Sequence, residues 1–344
     1  MTIPLLPTAR DIALQVRGLV TDFMTPAGAL RAVDQVDLLL HRGEILGLVG
    51  ESGSGKSVLG QSLMRLLDRP GRVTAGSVLL NGEDLLALSE AEMRRRRGAR
   101  IAMIFQDPMM TLNPVLRIDT QMIEAIQAHT RVPHQVAWER AREALARVGI
   151  PAPEERLRAY PHQFSGGMRQ RVAIAIALIN QPDVIIADEP TTALDVTVQS
   201  QILSEVRDLC TQSGTALIWV THDLALVSGL ADRIAVMYAG RIIETGRTRD
   251  VIQRPLHPYT QGLLESIPTN NLRGRPLRQI PGMTPSLKDL PTGCAFRPRC
   301  SLATDACAEV PQPRRAQGTG TTPAHLVRCH HPYLPAEELL SCSN

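Results

Sequence analysis

The sequence predicts an α/β fold followed by a small C-terminal extension, and three observations support that prediction. Strand-like apolar runs alternate with helix-period segments between about residues 12 and 270. A glycine-rich loop over residues 50–57 separates one of these strands from the helix that follows it. Between residues 271 and 330 the chain is proline-rich and basic, and four of its six cysteines lie there. We therefore expect a large domain over 1–270 and an extension over 271–344.

The overall composition and the first residues argue against several classes of protein. The net charge of +3 is too small to indicate a nucleic-acid partner. No apolar run approaches the roughly 18–20 residues that cross a bilayer. The N-terminal residues 1–7 lack the basic start and the apolar segment of an export signal. We expect a cytosolic protein whose cysteines are kept reduced.

The first region with strand character covers residues 12–40, where apolar and polar residues alternate. Phe23 lies inside it. An aromatic ring at this place is either ordinary core or, in a nucleotide-binding protein, a surface on which the base stacks. Both interpretations remain open.

The glycine-rich loop, residues 50–57, fits the pattern G-x-x-x-x-G-K-[ST] at every constrained position. The apolar run 45–49 precedes it, and a helix-period segment follows, so the loop has the strand–turn–helix context of a phosphate-binding loop. Its glycines allow successive N–H groups to point into one hollow, and the helix N-terminus adds partial positive charge. We expect Lys56 to reach the β- and γ-phosphates and the Ser57 hydroxyl to bind Mg²⁺. The residues predicted to surround the triphosphate are Gly50, Ser52, Gly53, Ser54, Gly55, Lys56 and Ser57. The apolar positions predicted for the following helix are Val58, Leu59, Leu63, Leu66 and Leu67.

Beyond that helix, residues 76–82 predict a short strand ending in an Asn-Gly turn. The four arginines 94–97 indicate either a solvated helix end or a phosphate- or lipid-binding patch, and the helix end is favoured. A buried-type strand over 101–105 ends at Gln106. The strand signal then disappears between 109 and 165, which predicts a helical insertion with helices near 118–129 and 134–148.

Two further strands end in polar residues whose side chains can bind a metal ion or act in hydrolysis. The strand 184–187 leads into Asp188 and Glu189, as a parallel strand does when it delivers a carboxylate to Mg²⁺. The adjacent Glu189 would polarise the attacking water. The strand 216–220 ends just before His222, which is either structural or, at the same sheet edge, a group near the γ-phosphate. A helix over about 197–213 lies between these strands, and residues 233–244 predict a hairpin about Ala239-Gly240.

With these residues assembled, the chain resembles the nucleotide-binding subunits of ABC transporters over roughly 12–270. Six motifs carry the resemblance in the expected order: Walker A at 50–57, Gln106, the signature Ser165-Gly166-Gly167, Asp188-Glu189, the D-loop 193–195 ending at Asp195, and His222. The signature departs from Leu-Ser-Gly-Gly-Gln at Phe164 and Met168. The resemblance implies an ABC ATPase cassette with a mostly parallel core sheet, an N-terminal antiparallel β part and a helical subdomain at about 109–165.

By the same resemblance, two such subunits sandwich two ATP molecules head to tail. The signature of one subunit then faces the nucleotide on the loop of the other, and Asp195 lies near it. Mg²⁺ is held by Ser57, Gln106 and Asp188, while Glu189, His222 and Gln106 act in hydrolysis. Glutamine 106 also links the site to the helical insertion, which presses on the membrane subunit.

A closer resemblance is to the peptide-importer branch. It rests on residues 49–57, 164–171, 256–260 and the cysteine-bearing tail that begins at 293–297. It implies a subunit that powers uptake of dipeptides or oligopeptides from the cytoplasmic face of the bacterial inner membrane. The implied partners are a second ATPase subunit (identical or a paralogue), two membrane-spanning permease subunits and an extracytoplasmic substrate-binding protein, without nucleic acid. The alternatives are a nickel or other small-solute importer, an exporter ATPase, and a soluble ABC ATPase acting on nucleic acid or ribosomes.

The extension needs a cross-link to fold, because residues 271–330 hold eight prolines and nine Lys/Arg against three Asp/Glu, with little apolar material. Its cysteines Cys294, Cys300, Cys307 and Cys329 have the spacing C-x5-C-x6-C-x21-C. A 4Fe–4S cluster, a zinc ion, disulfides and unpaired thiols are all conceivable. A reducing cytosol disfavours disulfides, and the absence of close pairs such as C-x2-C disfavours zinc. The resemblance favours the cluster, with His330 and His331 as substitute ligands and with Cys210 and Cys342 free.

Overall fold

The computed structural model describes residues 12–26, 28–191, 196–267, 279–316, 324–333 and 339–341. The chain forms two compact units, each assembled from separate segments. The first unit contains Met1–Gln15, Leu39–Ile45 and Leu79–Val220. The second unit contains Val16–Leu38, Leu46–Val78 and Thr221–Asn344.

The strands and helices alternate along the chain as the sequence predicts. The strands are β1 (Ile12–Thr25), β2 (Gly28–His41), β3 (Ile45–Val49), β4 (Gly71–Leu80), β5 (Glu83–Asp84), β6 (Ile101–Ile104), β7 (Val184–Asp188), β8 (Ala216–Thr221), β9 (Arg233–Tyr238), β10 (Arg241–Arg247), β11 (Arg314–Ala316), β12 (Leu326–Val327) and β13 (Leu339–Ser341). The helices are α1 (Lys56–Met64), α2 (Glu90–Arg96), α3 (Ile118–Gln127), α4 (His134–Arg147), α5 (Pro153–Leu157), α6 (Gly166–Leu178), α7 (Val196–Ser213), α8 (Leu224–Leu230), α9 (Thr248–Gln253) and α10 (Pro258–Glu265).

Parallel strands make up the core sheet of the first unit. Strand β7 pairs in parallel with β6 on one side and with β8 on the other. Every residue of these three strands is buried, as continuous apolar runs in a parallel sheet require. The carboxyl ends of β6 and β7 therefore meet at one edge, with Ile104 opposite Ala187.

The predicted helical insertion is present in the first unit. Helix α3 buries Ile118, Met122 and Ile126, which lie four residues apart on one face. Helix α4 buries Ala137, Ala141 and Leu145 with the same spacing. The two faces pack against each other, and the small alanines allow a close approach.

The arginine run 94–97 lies at the end of α2, as the favoured interpretation expects. Ser89 and Glu92 form a capping box at the N-terminus of this helix. Arg96 pairs with Glu83 at 2.7 Å, and Arg97 pairs with Glu90. Cations in the last turn also complement the helix dipole, so a local structural role accounts for two of the four charges.

In the second unit, β3 pairs in parallel with β9, and β9 pairs antiparallel with β10. The predicted hairpin about Ala239-Gly240 is therefore confirmed. Strands β2, β1 and β4 lie side by side in another sheet.

The helix after the glycine-rich loop ends earlier than the sequence pattern suggests, because Arg65 adopts a left-handed conformation with φ of 51°. Its N–H bonds back into the last turn, and Leu66 and Leu67 lie beyond the helix and are only half-buried.

The C-terminal extension continues the sheet of the second unit. Strand β12 pairs antiparallel with β10, placing Val327 opposite Glu244, and β11 pairs with β12 and β13. A small apolar cluster forms around this addition, and it consists of Leu256, Ala316, Val327 and Cys329. The need for a further cross-link in the extension stays a prediction. The domain boundary at residue 270 stays a prediction.

Candidate functional site

The glycine-rich loop joins β3 to α1 in a conformation that only glycine allows at two positions. A Cβ on Gly50 would lie 2.2 Å from the carbonyl oxygen of Met237. Gly55 has φ of +101°, and a Cβ there would lie 2.5 Å from the carbonyl oxygen of Ala32. The backbone of the loop is therefore packed tightly against its neighbours, as a cradle of N–H groups requires.

Lys56 is only 5 % exposed and is folded back over the loop. Its Nζ donates to the carbonyl oxygens of Gly50 at 2.8 Å and Glu51 at 2.9 Å. A third contact, at 3.4 Å, reaches the Oγ of buried Ser54. The ammonium is thus held beside the loop by neutral oxygens, from which a phosphate group can recruit it. Ser52, Gly53 and Ser57 are more exposed, and Ser57 lies in the first turn of α1.

Two of the predicted catalytic residues lie together in the first unit. Gln106, exposed just beyond β6, donates from Nε2 to Oε2 of Glu189 at 3.4 Å. Asp188 ends β7 and is 7 % exposed. Glu189 follows with φ of +44°, a left-handed conformation that is strained for a residue with a side chain. Its N–H bonds the carbonyl of Val220 at 3.0 Å, which fixes this turn.

The signature turn, Ser165-Gly166-Gly167, begins α6. The Ser165 Oγ accepts a hydrogen bond from the N–H of Met168 at 3.3 Å and caps the helix. Ser165 and Gly166 are exposed, and a Cβ on Gly166 would meet no described atom within 4 Å. Phe164, where the departure from the usual signature begins, is 4 % exposed. The departure at Phe164 therefore changes buried packing, while the departure at Met168 lies at a half-buried position whose N–H still bonds Ser165.

His222 and Phe23 lie in the second unit. His222 is exposed between the end of β8 and Asp223, whose side chain caps α8. Phe23 is half-buried, and its ring packs against Gly71, where a Cβ would come within 2.8 Å of it. Neither observation tests the catalytic role of His222 or base stacking by Phe23, so both stay predictions. Asp195 and the rest of the predicted D-loop lie outside the described residues.

The four cysteines of the extension are reduced and adjacent. The N–H of Cys294 bonds the carbonyl of Cys307 at 3.0 Å, and Cys329 accepts from the N–H of His331 at 3.4 Å. Burial, together with the neighbouring Cys294, Cys300 and Cys307, raises the pKa of Cys329 to about 12. Across the described parts of the chain, no group of three or more His, Cys, Asp or Glu side chains is arranged to hold a metal ion.

The two histidines beside Cys329 are engaged in other contacts. His331 Nε2 forms a 2.6 Å hydrogen bond with Thr304, and His330 Nε2 forms a 3.0 Å hydrogen bond with the carbonyl of Glu309. These bonds occupy Nε2 of each ring, so a metal ligand from either histidine would be its Nδ1 atom. Cys210 is a buried free thiol in α7, as expected, and Cys342 lies outside the described residues.

One part of the site was missed in the sequence. Glu51 occupies an unconstrained position of the loop motif, yet Arg299 of the extension pairs with its carboxylate at 2.6 and 2.9 Å. Burial would raise the pKa of the Glu51 carboxyl, but hydrogen bonds from Arg299 and Thr284 outweigh burial and hold that pKa below its ordinary value. The signal was available in part, since both residues fall in stretches that carry the peptide-importer resemblance.

A search for membrane-spanning helices among the described residues finds none that is long and apolar enough.

Comparison with known families gives two matches within the chain. Residues 33–192 match the ABC transporter family, and residues 243–307 match the C-terminal region of oligopeptide/dipeptide transporters. The second match includes Cys294, Cys300 and Cys307 together with Arg299.

Individual relatives extend this similarity over almost the whole chain. The oligopeptide transport ATP-binding protein OppD of Escherichia coli K12 is 45 % identical over 339 residues, covering 98 % of each chain. OppD of Bacillus subtilis is 49 % identical over 292 residues, covering 84 % of this chain and 82 % of the relative. Among solved structures, a dimeric ATP-binding cassette in a post-hydrolysis state with ADP and Pi has a TM-score of 0.62 at 27 % identity. That match covers 69 % of this chain and 99 % of the cassette.

Proposed function

The chain belongs to the family of ATP-binding subunits of ABC-type oligopeptide importers, and from that premise we propose that it hydrolyses ATP to power peptide uptake. The observation that carries the proposal is the loop Gly50–Ser57, with Lys56 buried and bonded to the backbone carbonyl oxygens of Gly50 and Glu51. The loop fits a bound triphosphate, because glycine is required at its closest contacts and its lysine is positioned by the loop itself.

Each residue of the site has a proposed part in hydrolysis. Mg²⁺, bound by Ser57, Asp188 and Gln106, would neutralise charge on the β- and γ-phosphates. Glu189 orients the attacking water and accepts its proton, and His222 contacts the γ-phosphate. Phe23 stacks on the adenine.

A second ATPase subunit completes the active assembly. Its nucleotide contacts the signature turn Ser165–Gly167 of this chain, whose helix N-terminus favours the negative γ-phosphate. Asp195 lies near the same interface. The remaining partners are two membrane-spanning permease subunits and an extracytoplasmic binding protein. The chain then sits on the cytoplasmic face of the inner membrane as a peripheral subunit.

The experiment that tests this function uses the transporter reconstituted in liposomes with its binding protein. Addition of dipeptides or oligopeptides stimulates ATP hydrolysis and drives their uptake. Stimulation by nickel and not by any peptide would refute the peptide substrate, while binding of nucleic acid without permease subunits would refute the transport function.

Glu189→Gln tests the catalytic assignment. The substitution lowers kcat by about 10²–10⁴-fold while ATP still binds, because the amide keeps the shape but loses the charge that accepts a proton. Glu155→Gln, on an exposed carboxylate in α5, is the matched control and keeps wild-type turnover. In a heteromeric pair the partner subunit carries the corresponding substitution as well, since its own site could sustain turnover. Wild-type kcat in such a complex would contradict the assignment.

For the extension, the cofactor proposed is a 4Fe–4S cluster on Cys294, Cys300, Cys307 and Cys329. Supporting it is the adjacency of the four reduced thiols. The four cysteines lack the close C-x2-C pairs of structural zinc sites, which disfavours zinc. Anaerobic purification followed by iron, sulfide and visible-spectrum analysis tests the proposal. Cys300→Ser lowers the iron content and Cys210→Ala does not; a colourless protein with zinc or without metal would refute it.

A further inference from the structure

Glu51 is held in place by a set of residues that we call the clamp: Arg299, Thr284 and Tyr259, which bond it directly, and Tyr238, which accepts from Arg299. Arg299 donates from both terminal nitrogens to the two Glu51 oxygens, and Thr284 Oγ1 donates to Oε2 at 2.8 Å. The N–H of Glu51 donates to the Tyr259 hydroxyl at 2.8 Å. Planar bidentate pairing of this kind fixes the orientation of the Glu51 carboxylate as well as balancing its charge.

Arg299 is itself buried and has partners beyond Glu51. Its side chain is 5 % exposed, and its Nε donates to the carbonyl of Pro281 at 2.9 Å. The guanidinium lies over the rings of Tyr238 and Phe296, at 5.9 and 5.8 Å from their centroids. A buried cation needs such partners, because removal of its counter-charge leaves an uncompensated charge in the interior.

The clamp acts on the part of the loop that positions Lys56. The carbonyl oxygen of Glu51 accepts from Lys56 Nζ at 2.9 Å, and that of Gly50 accepts at 2.8 Å. All three polar groups of Glu51, its N–H, its carbonyl and its carboxylate, are therefore bonded. The extension thus fixes the peptide on which the phosphate-binding lysine rests.

The cysteines connect to this clamp through a single short turn. Arg299 ends the 3₁₀ helix Arg297–Arg299, which lies between Cys294 and Cys300. The N–H of Arg297 bonds the carbonyl of Cys294 at 3.0 Å, and the N–H of Cys300 bonds the carbonyl of Arg297 at 3.3 Å. Movement of either cysteine would therefore move this turn and the guanidinium with it.

We propose that Arg299 is a positioning residue for ATP binding, through which the cysteine segment of the extension sets the conformation of the phosphate-binding loop. This inference rests on the proposed ATPase function. In an intact segment the loop is preorganised, so little ordering is required when the triphosphate arrives. When the segment loosens, Glu51 and its peptide lose their fixed place, and affinity for ATP falls while the catalytic groups on β6 and β7 remain unchanged.

The test compares variants in the whole transporter, purified anaerobically. Arg299→Ala raises KM for ATP by about tenfold at nearly constant kcat, because the loop must be ordered by the ligand. Arg299→Lys keeps the positive charge but cannot form the bidentate pair, and it restores part of the affinity for ATP. Arg297→Ala is the matched control: it removes the same charge from the same turn, and KM stays within about twofold of wild type. Direct ATP binding, measured in a Glu189→Gln background, separates affinity from turnover.

A double-mutant cycle isolates the pair. Glu51→Gln and Arg299→Ala each weaken ATP binding, and the double variant loses less than the product of the two single losses, because no unpaired charge remains. Cys300→Ser weakens ATP binding in the same direction and is also non-additive with Arg299→Ala. If Arg299→Ala fails to assemble, Arg299→Lys and Glu51→Gln supply the answer.

Three results would overturn the inference: wild-type ATP affinity in an assembled Arg299→Ala complex, a loss of kcat at unchanged KM, or strict additivity in the cycle. Failure of the proposed function looks different, since the wild-type complex would then show no peptide-stimulated hydrolysis whatever its affinity for ATP.

Discussion

The phosphate-binding loop and the signature turn both place a helix N-terminus beside glycines, yet they are surrounded in opposite ways. In the loop, a methyl group on Gly50 would collide with a backbone oxygen 2.2 Å away, and Glu51 is bonded through every polar group. At the signature turn, a methyl group on Gly166 would meet no described atom within 4 Å. The difference indicates that the loop is shaped by its own chain, whereas the turn has free space around its first glycine, as the proposed contact with a second subunit's nucleotide requires.

The largest expected effect comes from a substitution in the phosphate-binding loop, where Gly50 has no free space around it. Gly50→Ala forces the loop backbone to move and costs about 3 kcal/mol, because the new methyl cannot share space with the Met237 carbonyl. ATP affinity then falls by about 100-fold or more. Equilibrium binding of a fluorescent ATP analogue measures it; unchanged affinity would show that the loop is not held as tightly as its contacts indicate.

The next largest effect is a loss of folding stability at acid pH, which acts through a histidine bonded to the clamp. Burial lowers the pKa of His257 to about 3, and its neutral Nδ1 accepts the N–H of Tyr259, a member of the clamp. Below pH of about 6.5 the unfolded chain binds a proton that the folded chain does not, so stability falls as the pH drops towards 3. From pH 7 to pH 5 this histidine contributes a loss of about 2 kcal/mol.

Denaturant unfolding at both pH values measures that loss. In His257→Asn, which keeps a capping side chain without a titrating ring, the free energy of unfolding depends less on pH. His129→Asn, at an exposed histidine, keeps the wild-type pH dependence. Equal pH dependence in wild type and His257→Asn would refute the role of the buried ring.

A smaller effect is expected at the signature turn, where Gly166 has free space around it. Gly166→Ala leaves folding and ATP binding to the isolated chain unchanged, since the methyl has room and alanine suits a helix. In the assembled transporter it lowers ATPase activity by about tenfold, because the methyl intrudes where the partner's nucleotide approaches. Gly229→Ala in α8 is the control, as a Cβ there also meets nothing described within 4 Å. Full activity of Gly166→Ala would mean that no ligand closes on this turn.

The smallest effect distinguishes the role of Ser165 as a helix cap from its proposed contact with the nucleotide. Ser165→Ala and Ser89→Ala each remove the side-chain cap of a helix in the first unit and lower the free energy of unfolding by about 1 kcal/mol. Only Ser165→Ala also lowers ATPase activity. Thermal unfolding together with ATPase assays distinguishes the two, and an equal loss of activity in both variants would reduce Ser165 to a helix cap.

The local parts of the site could be predicted from the sequence, because their signals are contiguous. The loop, the end of β7 and the start of α6 each depend on neighbours within about ten residues. The contact between Glu51 and Arg299 joins residues 248 positions apart, and neither occupies a constrained motif position. Likewise, the early end of α1 depends on the left-handed conformation of Arg65, for which apolar periodicity carries no signal.

Buried Glu244 on β10 limits how this protein can be rebuilt. Its carboxylate accepts from the N–H groups of Leu256 and His257 and bonds His325 Nε2 at 2.8 Å, so its charge is satisfied partly by the extension. A chimera that exchanges the extension between related subunits must therefore transfer Glu244 and His325 together, with the junction placed upstream of β10. A junction at residue 270 would combine a host carboxylate with a foreign partner, and a mismatch there would leave a charge stranded in the interior. The extension therefore has to be exchanged as one piece with the strand it joins.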